Sequence, residues 1–224
     1  MERRPVVRRL ASPVGLALTV VCLALPFLSA SCSGDAPPDA PDARQQWRVS
    51  YTGADILVGG KPDVAWADHT RPGPPQRLSE AELVDLIGQP ATPLSPQPLA
   101  WLAVVLIAGA LAAAALRGTR QRATVTAGLA LVAALALYAA TLLARDQAVD
   151  AVAEVLRRVA SGSSAPSKEP IREWEYYGWV GGRFRFGYGL WITIGILLAL
   201  SLDNAAQAVD WPRRRRAGAD AERA

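Results

Sequence analysis

The stretch that decides the predicted fold is TVTAGLALVAALALYAATLLA, which occupies residues 124–144. It contains no charged residue, and a helix of this length crosses the roughly 30 Å hydrocarbon core of a bilayer. Three further apolar stretches accompany it, at residues 13–31, 99–116 and 188–203. A buried core helix of a soluble protein would explain one such stretch, whereas the set predicts a helical membrane protein.

These spans predict the fold class and the order of segments. We expect an all-α membrane protein, a four-helix transmembrane bundle with a small α/β-type extracytoplasmic cap. The segments outside the spans are a basic N-terminus at 1–12, an external loop at 32–98, a cytoplasmic turn at 117–123, an external loop at 145–187 and a basic tail at 204–224.

Arginine residues set the predicted orientation, because basic residues in short segments beside a span stay on the cytoplasmic side. With both termini in the cytoplasm, the cytoplasmic segments are net positive and the external ones net negative. The inverted topology would place the basic clusters outside. The residues that carry this argument are Arg3, Arg4, Arg8, Arg9, Arg117, Arg120, Arg122, Arg213, Arg214, Arg215 and Arg216.

Composition indicates where such a protein works. Of the 224 residues, 51% are hydrophobic, and arginine supplies nearly all the basic charge because Lys61 and Lys168 are the only lysines. This bias, with abundant alanine, is typical of a GC-rich bacterial genome. We therefore expect a multi-pass protein of the bacterial plasma membrane, in contact with the lipid bilayer.

Cys32 is a candidate for lipidation. Bacterial lipoprotein signals have a basic start, an apolar stretch and small residues before the modified cysteine. Ser29 stands where that pattern usually has an aliphatic residue, and Leu28 is one position too early. The first span is therefore either retained or cleaved at Cys32. Cys22 lies about 15 Å away along a helix, too far for a disulfide.

A resemblance appears in the same region. Two motifs carry it: Pro26-Phe27 followed by Ser31-Cys32, and then Tyr51-Thr52-Gly53-x-Asp55-Ile56-Leu57-x-Gly59. Together they resemble a pattern in small, uncharacterised bacterial four-span membrane proteins. The resemblance implies their architecture, with the Ser-Cys pair inside a retained span. It implies no activity. The insert between the two motifs is longer than the pattern expects.

Ordered elements are predicted in the external loop at 32–98. After a Pro/Asp-rich tether that we expect to be disordered, residues 47–57 have β-type content and predict a strand or short hairpin. Ser79-x-x-Glu82 has the form of a capping box and predicts a short helix before Gly88. The loop has too little apolar mass for a core of its own. We expect it to pack on the other external loop or on a partner.

The second external loop, 145–187, begins with an amphipathic helix over about 149–159 and then becomes aromatic. Its Gly181-Gly182 pair lies between aromatic runs, which is typical of a β-hairpin. An interfacial aromatic belt and a ligand platform are the alternatives. The candidate interaction surface consists of Trp174, Tyr176, Tyr177, Trp179, Phe184 and Phe186.

Catalytic patterns are weak throughout the sequence. His69, with Asp63 and Asp68, lacks the second His or Cys that a metal site needs, and no nucleophile elbow or phosphate loop is present. Asp203, at the end of the last span, is more simply an interfacial acid than part of an ion path. We expect no cofactor, no metal and no nucleic-acid partner.

The function predicted from these features is non-enzymatic. The leading hypothesis is a sensor, accessory or envelope-complex subunit that acts through its external loops, with a membrane-protein partner or a second copy of itself. A small transporter or channel subunit is the first alternative. A membrane-anchored lipoprotein, modified at Cys32, is the second.

Overall fold

The computed structural model describes residues 4–33, 46–67, 76–87, 92–113, 119–162 and 183–221. In this part of the chain the protein is mixed α/β, with six helices and one five-stranded antiparallel sheet. The elements in chain order are α1 (Arg4–Cys22), β1 (Pro26–Ser33), β2 (Gln46–Thr52), α2 (Gly53–Val58), β3 (Asp63–Ala67), β4 (Gln76–Arg77), α3 (Glu80–Ile87), α4 (Pro98–Ala113), α5 (Thr119–Gly162), β5 (Phe184–Phe186) and α6 (Tyr188–Ala221).

The predicted all-α four-span bundle is wrong, and the first span shows why. Helix α1 ends at Cys22, and Pro26–Ser33 is a strand rather than the end of a helix. Proline lacks the N–H that a helix interior needs, and it disfavours helical geometry in the residue before it. Residues 28–33 alternate between apolar and small polar side chains, which suits a strand with one buried face. The apolar part of α1 is therefore only Ser12–Cys22.

Within the described residues, two helices are long and apolar enough to cross a membrane, judged by length and composition. They are Arg120–Ala151, within α5, and Tyr188–Val209, within α6. The spans predicted at 124–144 and 188–203 lie inside them. The span predicted at 99–116 falls on α4, whose apolar helix over Pro98–Ala113 is shorter. The amphipathic helix predicted at 149–159 continues α5 without a break.

The sheet has the strand order β4-β3-β2-β1-β5, and every neighbouring pair is antiparallel. Strands β1 to β4 follow one another as a meander. Strand β5 comes from the other end of the sequence and pairs with the free edge of β1, where Leu28 faces Phe186 and Ala30 faces Phe184. The sheet thus joins the segment after α1 to the segment before α6.

The chain divides into two compact units. Unit 1 comprises Met1–Ala24, Pro98–Ala139 and Trp191–Ala224, and unit 2 comprises Leu25–Gln97 and Ala140–Leu190. The core of unit 1 is built largely from alanine, with a few leucines and one isoleucine. Its members are Leu16, Ile107, Ala110, Ala130, Ala133, Ala134, Leu197 and Leu200.

Unit 2 holds the whole sheet together with helices α2 and α3. The segment before α4 also belongs to it: the Gln97 amide donates to the Ile56 carbonyl of α2 at 3.2 Å. The Gln97 side chain donates to Gln147 Oε1 of α5 at 3.0 Å. Residues 94–97 therefore tie α2 to the part of α5 that lies in unit 2.

Candidate functional site

The sheet of unit 2 has one apolar face, because directly paired residues of antiparallel strands point to the same side. One row across β2, β1 and β5 consists of Tyr51, Leu28 and Phe186. The next row on the same face, across β3, β2, β1 and β5, consists of Val64, Val49, Ala30 and Phe184. Leu28, Tyr51, Ala30, Val64 and Phe184 are all buried. This face is the hydrophobic core of the unit.

The opposite face is polar and carries the candidate site. In one row, Arg185 of β5 faces Ser29 of β1, Ser29 faces Ser50 of β2, and Ser50 faces Asp63 of β3. In the next row, Arg48 of β2 faces Ser31 of β1.

Arg183 extends the second of these polar rows. It directly precedes Phe184, which pairs with Ala30, so it stands one step beyond that pair, beside Ser31. Ser31 therefore lies between an arginine on each side. Because neighbouring strands are about 4.8 Å apart, the two arginine backbones are separated by about 10 Å, within reach of two converging side chains.

A surface cavity of about 310 Å³ lies over this part of the face. Among the described residues, its lining contains three arginines and two serines and no acidic residue. The lining residues are Ser29, Ala30, Ser31, Arg48, Arg183 and Arg185. Arg48 and Arg185 are exposed, so their charged ends reach solvent. The cavity therefore presents positive charge and hydrogen-bond donors together.

Asp63 lies on the same face of the sheet as the cavity and forms an ion pair there. Its carboxylate oxygen is 2.7 Å from a guanidinium nitrogen of Arg77, on strand β4. β3 is also two strands away from β1. Asp63 is thus paired with Arg77, on the edge strand β4, and lies diagonally opposite Arg48 on the neighbouring strand β2.

The corner after β2 joins the strand that carries Arg48 and Tyr51 to helix α2. The Thr52 backbone N–H and side-chain hydroxyl both donate to Asp55 Oδ2 at 2.7 Å, and the Asp55 amide donates to Thr52 Oγ1 at 3.1 Å. This is a capping box that begins α2. The helix ends at Gly59, whose φ of 79° is left-handed, and the Gly59 amide donates to the Asp55 carbonyl.

The same corner alters the titration of Tyr51. Burial, and then the nearby negative charge of Asp55, raise the pKa of the Tyr51 phenol to about 12. Both effects disfavour the phenolate, since burial strips it of water and Asp55 repels it. Tyr51 is therefore a neutral core residue at any ordinary pH.

Helices outside the sheet show an unusual distribution of large and small side chains. Alanines of α4 and α5 are buried, whereas large apolar side chains of the same helices and of α6 are exposed. Examples at more than half exposure are Val105, Leu135, Trp191 and Leu202. Small residues inside and large apolar residues outside are typical of helices packed in lipid.

The structure places the residues predicted as sites as follows. Phe184 is buried and Phe186 is half-buried, and both lie on the apolar face of the sheet. The ring centre of Phe186 is 5.9 Å from the guanidinium carbon of Arg145 on α5. Trp174, Tyr176, Tyr177 and Trp179 lie outside the described residues, as does the predicted Gly181-Gly182 hairpin.

The orientation arginines and the remaining candidates are distributed in this way. Arg120 is exposed and Arg122 half-buried in the first turns of α5. Cys32 lies in β1, where its backbone pairs with Trp47. In the described part of the chain no cluster of three metal-ligating side chains occurs. Arg3, Arg117, Asp68 and His69 are outside it. Arg4, Arg8 and Arg9 fall in α1, and Arg213, Arg214, Arg215 and Arg216 fall in α6.

The arginine and serine face is absent from the sites predicted from sequence. A pattern that hinted at it was present: Ser29, Ser31 and Ser33 alternate with Leu28, Ala30 and Cys32. Comparison with known proteins adds no assignment, since no protein-family model and no curated protein matches the chain.

Proposed function

We propose that this chain is a non-enzymatic protein of the bacterial plasma membrane, anchored by α5 and α6, whose sheet unit is an extracytoplasmic binding module. In this role it serves as a sensor or accessory subunit. The polar face of the sheet carries the proposal, because it combines three arginines and two serines around one cavity.

The distribution of apolar side chains supports the membrane anchor. Leu135 of α5 is 62% exposed and Leu202 of α6 is 72% exposed, while Ala130 and Ala133 of α5 are fully buried. In water, each large exposed side chain would forfeit about 1.5–3 kcal/mol of burial free energy. In hydrocarbon that penalty disappears, and small residues let the helices approach closely. α1 and α4, whose apolar parts are shorter, contribute Leu16, Ile107 and Ala110 to the same core.

The two ends of the helices differ in a way that supports the orientation. α4 begins directly after Gln97, the last residue of the first segment of unit 2, and α6 begins at Tyr188, near the end of its second segment. Exposed Trp101, Tyr188 and Trp191 lie in the first turns of these helices, as in an interfacial aromatic belt. Arg120 and Arg122 begin α5, and the run at 213–216 follows the apolar part of α6. Positive-inside orientation then puts the sheet outside and the tail that follows α6 in the cytoplasm.

Polar contacts within unit 1 favour this role over a transporter or channel. Ser201 donates to the Ala127 carbonyl at 3.0 Å, and the Asn204 amide donates to the Ser12 hydroxyl at 3.2 Å and to the Leu200 carbonyl at 2.7 Å. Gln207 donates to Asp203 at 2.8 Å. These buried and half-buried polar groups satisfy one another between and within helices, so they act as helix-packing contacts and not as a continuous polar path.

Single-cysteine labelling tests the proposed topology. In a Cys22→Ala/Cys32→Ser background, Ala54→Cys introduces a thiol at an exposed site of α2, and Gln121→Cys does so in the first turn of α5. We expect a membrane-impermeant maleimide to label Ala54→Cys in right-side-out vesicles and Gln121→Cys in inside-out vesicles. The reverse pattern, or labelling of both from one side, would overturn the proposal.

A further inference from the structure

We propose that the outward face of α1 is a contact surface for phospholipids with short acyl chains, beside which the bilayer is thinned. This inference rests on the proposed function, because it names the class of lipid that the membrane anchor selects. The surface, called here the α1 lipid face, consists of Val14, Ala17, Leu18, Val20 and Val21. Its place in the anchor, its composition and its height carry the inference.

α1 packs against α6 inside unit 1, so it belongs to the anchor. The Asn204 amide of α6 donates to the Ser12 hydroxyl at 3.2 Å, and a Cβ atom added at Gly15 would lie 3.0 Å from a methyl carbon of Leu200. Residue numbers rise along α1 as they fall along α6, so the two helices are antiparallel. Leu16 lies with Leu200 in the apolar core of the unit. These contacts fix the height of α1 relative to α6.

The side chains of α1 are distributed as in a helix that faces lipid. Its polar residues Ser12 and Thr19 are buried, with exposed fractions of 3% and 0%. Over Ser12–Cys22 the exposed side chains are all apolar, and Val14 and Val21 are 63% and 66% exposed. In a membrane, a second helix packs on small and polar residues, and α1 turns its polar residues inward. Lipid is therefore the occupant that suits the α1 lipid face.

The height of this face is smaller than the thickness of a bilayer. From Leu10, the first residue after an arginine pair, to Cys22, where the helix ends, α1 rises about 18 Å at about 1.5 Å per residue. The hydrocarbon core of a bilayer is about 30 Å thick. Strand β1 adds no exposed apolar surface, because its apolar face is the core of unit 2 and its other face carries Ser29 and Ser31. Tilting α1 would only reduce the thickness that it spans.

Helices α5 and α6 do not share this limit. Arg120–Ala151 of α5 has 32 residues and Tyr188–Val209 of α6 has 22, and both reach the length that a bilayer requires. Lipid beside α1 therefore meets an apolar surface about 12 Å shorter than the hydrocarbon core. A bilayer accommodates a short apolar surface by thinning, and short acyl chains lower the cost of that thinning.

Quenching of tryptophan fluorescence by phosphatidylcholine with brominated acyl chains tests the α1 lipid face. Leu18→Trp adds a reporter to this face, and Leu131→Trp adds a matched reporter to α5, since the two leucines are 50% and 43% exposed. The full-length variants are reconstituted in phosphatidylcholine, and the quenching of the parent, which has seven tryptophans, is subtracted. At Leu18→Trp we expect chains of about 14 carbons to bind at least about threefold more strongly than chains of about 22 carbons. Leu131→Trp should show no such preference.

Lengthening the apolar part of α1 provides a second test. Arg8→Leu/Arg9→Leu extends the apolar run back to Pro5, within the helix that begins at Arg4. Combined with Leu18→Trp, it should shift the preference towards longer chains. Arg8→Gln/Arg9→Gln is the matched control, because it removes the same two charges without adding apolar surface, and it should leave the preference unchanged. No shift in the leucine variant, or an equal shift in both variants, would overturn the proposal.

The outcomes separate this inference from the proposed function. Alkaline carbonate extraction of the reconstituted parent shows first whether it is integral to the bilayer, and its release would overturn the anchor itself. An integral protein with the same chain preference at Leu18→Trp and Leu131→Trp would overturn only the short-chain surface. Weak quenching of Leu18→Trp by every lipid, with strong quenching of Leu131→Trp, would overturn it too, because protein would then cover α1. Circular dichroism of each variant separates a changed lipid preference from a lost fold.

Discussion

Tyr51 lies at the end of β2, where its ring enters the core of the sheet unit and only 2% of its surface is exposed. Its pKa, about 12, is above the value of 10.0 for a free phenol. At a pH between these two pKa values, Tyr51 of the folded chain holds a proton that Tyr51 of the unfolded chain has released. The free energy of unfolding should therefore fall as pH rises from 10 to 12, by an amount on the order of 2 kcal/mol.

Tyr51→Phe isolates this effect. We expect the variant to lose less stability than the parent over the same pH range, because it has no phenol to titrate at this position. Thermal unfolding in detergent at several alkaline pH values measures the difference. Tyr188→Phe, which changes an exposed tyrosine of α6, is the matched control and should follow the parent. Equal losses in the parent and Tyr51→Phe would contradict the assignment.

The residues around Tyr51 show what a sequence can and cannot predict at this scale. Ser79-x-x-Glu82 was recognised as a capping box, and the prediction is confirmed: the Ser79 amide and hydroxyl both donate to Glu82 Oε2 at 2.7 Å. These hydrogen bonds lower the pKa of Glu82. Thr52-x-x-Asp55 has the same form but was read as part of a strand, because Trp47 and Val49 before it have strong β preference.

At the scale of elements, the turn from β5 into α6 depends on a close approach of two backbones. A Cβ atom added at Gly187 would lie 2.2 Å from the Pro26 carbonyl oxygen, and the Gly187 amide donates to the Phe27 carbonyl at 2.7 Å. Only a glycine fits there without moving β1 or β5. This contact holds the last strand of the sheet against the first.

Gly187→Ala should therefore destabilise the protein by about 2 kcal/mol or more, since backbone must shift to admit the methyl group. Gly195→Ala is the matched control, because nothing lies within 4 Å of the added Cβ atom and alanine favours the helix. The melting temperature in detergent should fall for the first and hold or rise for the second. Similar melting temperatures would mean that β5 does not pack on β1 in solution.

The prediction of the elements failed where the helical periodicity of α1 gives way to the strand periodicity of β1. The run from Pro13 to Ala30 is apolar enough for a membrane helix, and the change from helix to strand at Pro26 is marked by a few letters only. Strand β5 has three residues and lies far from β1 in sequence, so no local pattern identifies its partner. The long apolar segments of α5 and α6 were predicted well, because their length and composition are local properties.

At the scale of the whole molecule, the lipoprotein alternative conflicts with the sheet. Modification of Cys32 would require cleavage before it, which removes Pro26 to Ser31 from β1. That strand pairs with β2 on one side and β5 on the other, and it supplies Ser29 and Ser31 to the cavity. A cleaved chain would lose most of β1, the strand that joins β5 to the rest of the sheet. We therefore expect residues 1–31 to be retained.

Intact mass spectrometry of the protein purified from membranes checks this expectation. The mass should correspond to an uncleaved chain without an added lipid. Cys32→Ser should leave both the mass, apart from the substitution, and the membrane localisation unchanged. A mass that begins at Cys32 with attached acyl chains would show that the described strand β1 does not survive in the mature protein.

The pairing of β1 with β5 also has a consequence for the order of synthesis. Strands β1 to β4 can form a meander as soon as the first half of the chain is made, but one edge of β1 then waits until Phe186 emerges from the ribosome. An unpaired edge is a template for aggregation, and such non-local pairing is slow. This edge therefore stays unpaired while α4 and α5 are synthesised, and we expect a chain truncated before Phe184 to leave it open to proteolysis.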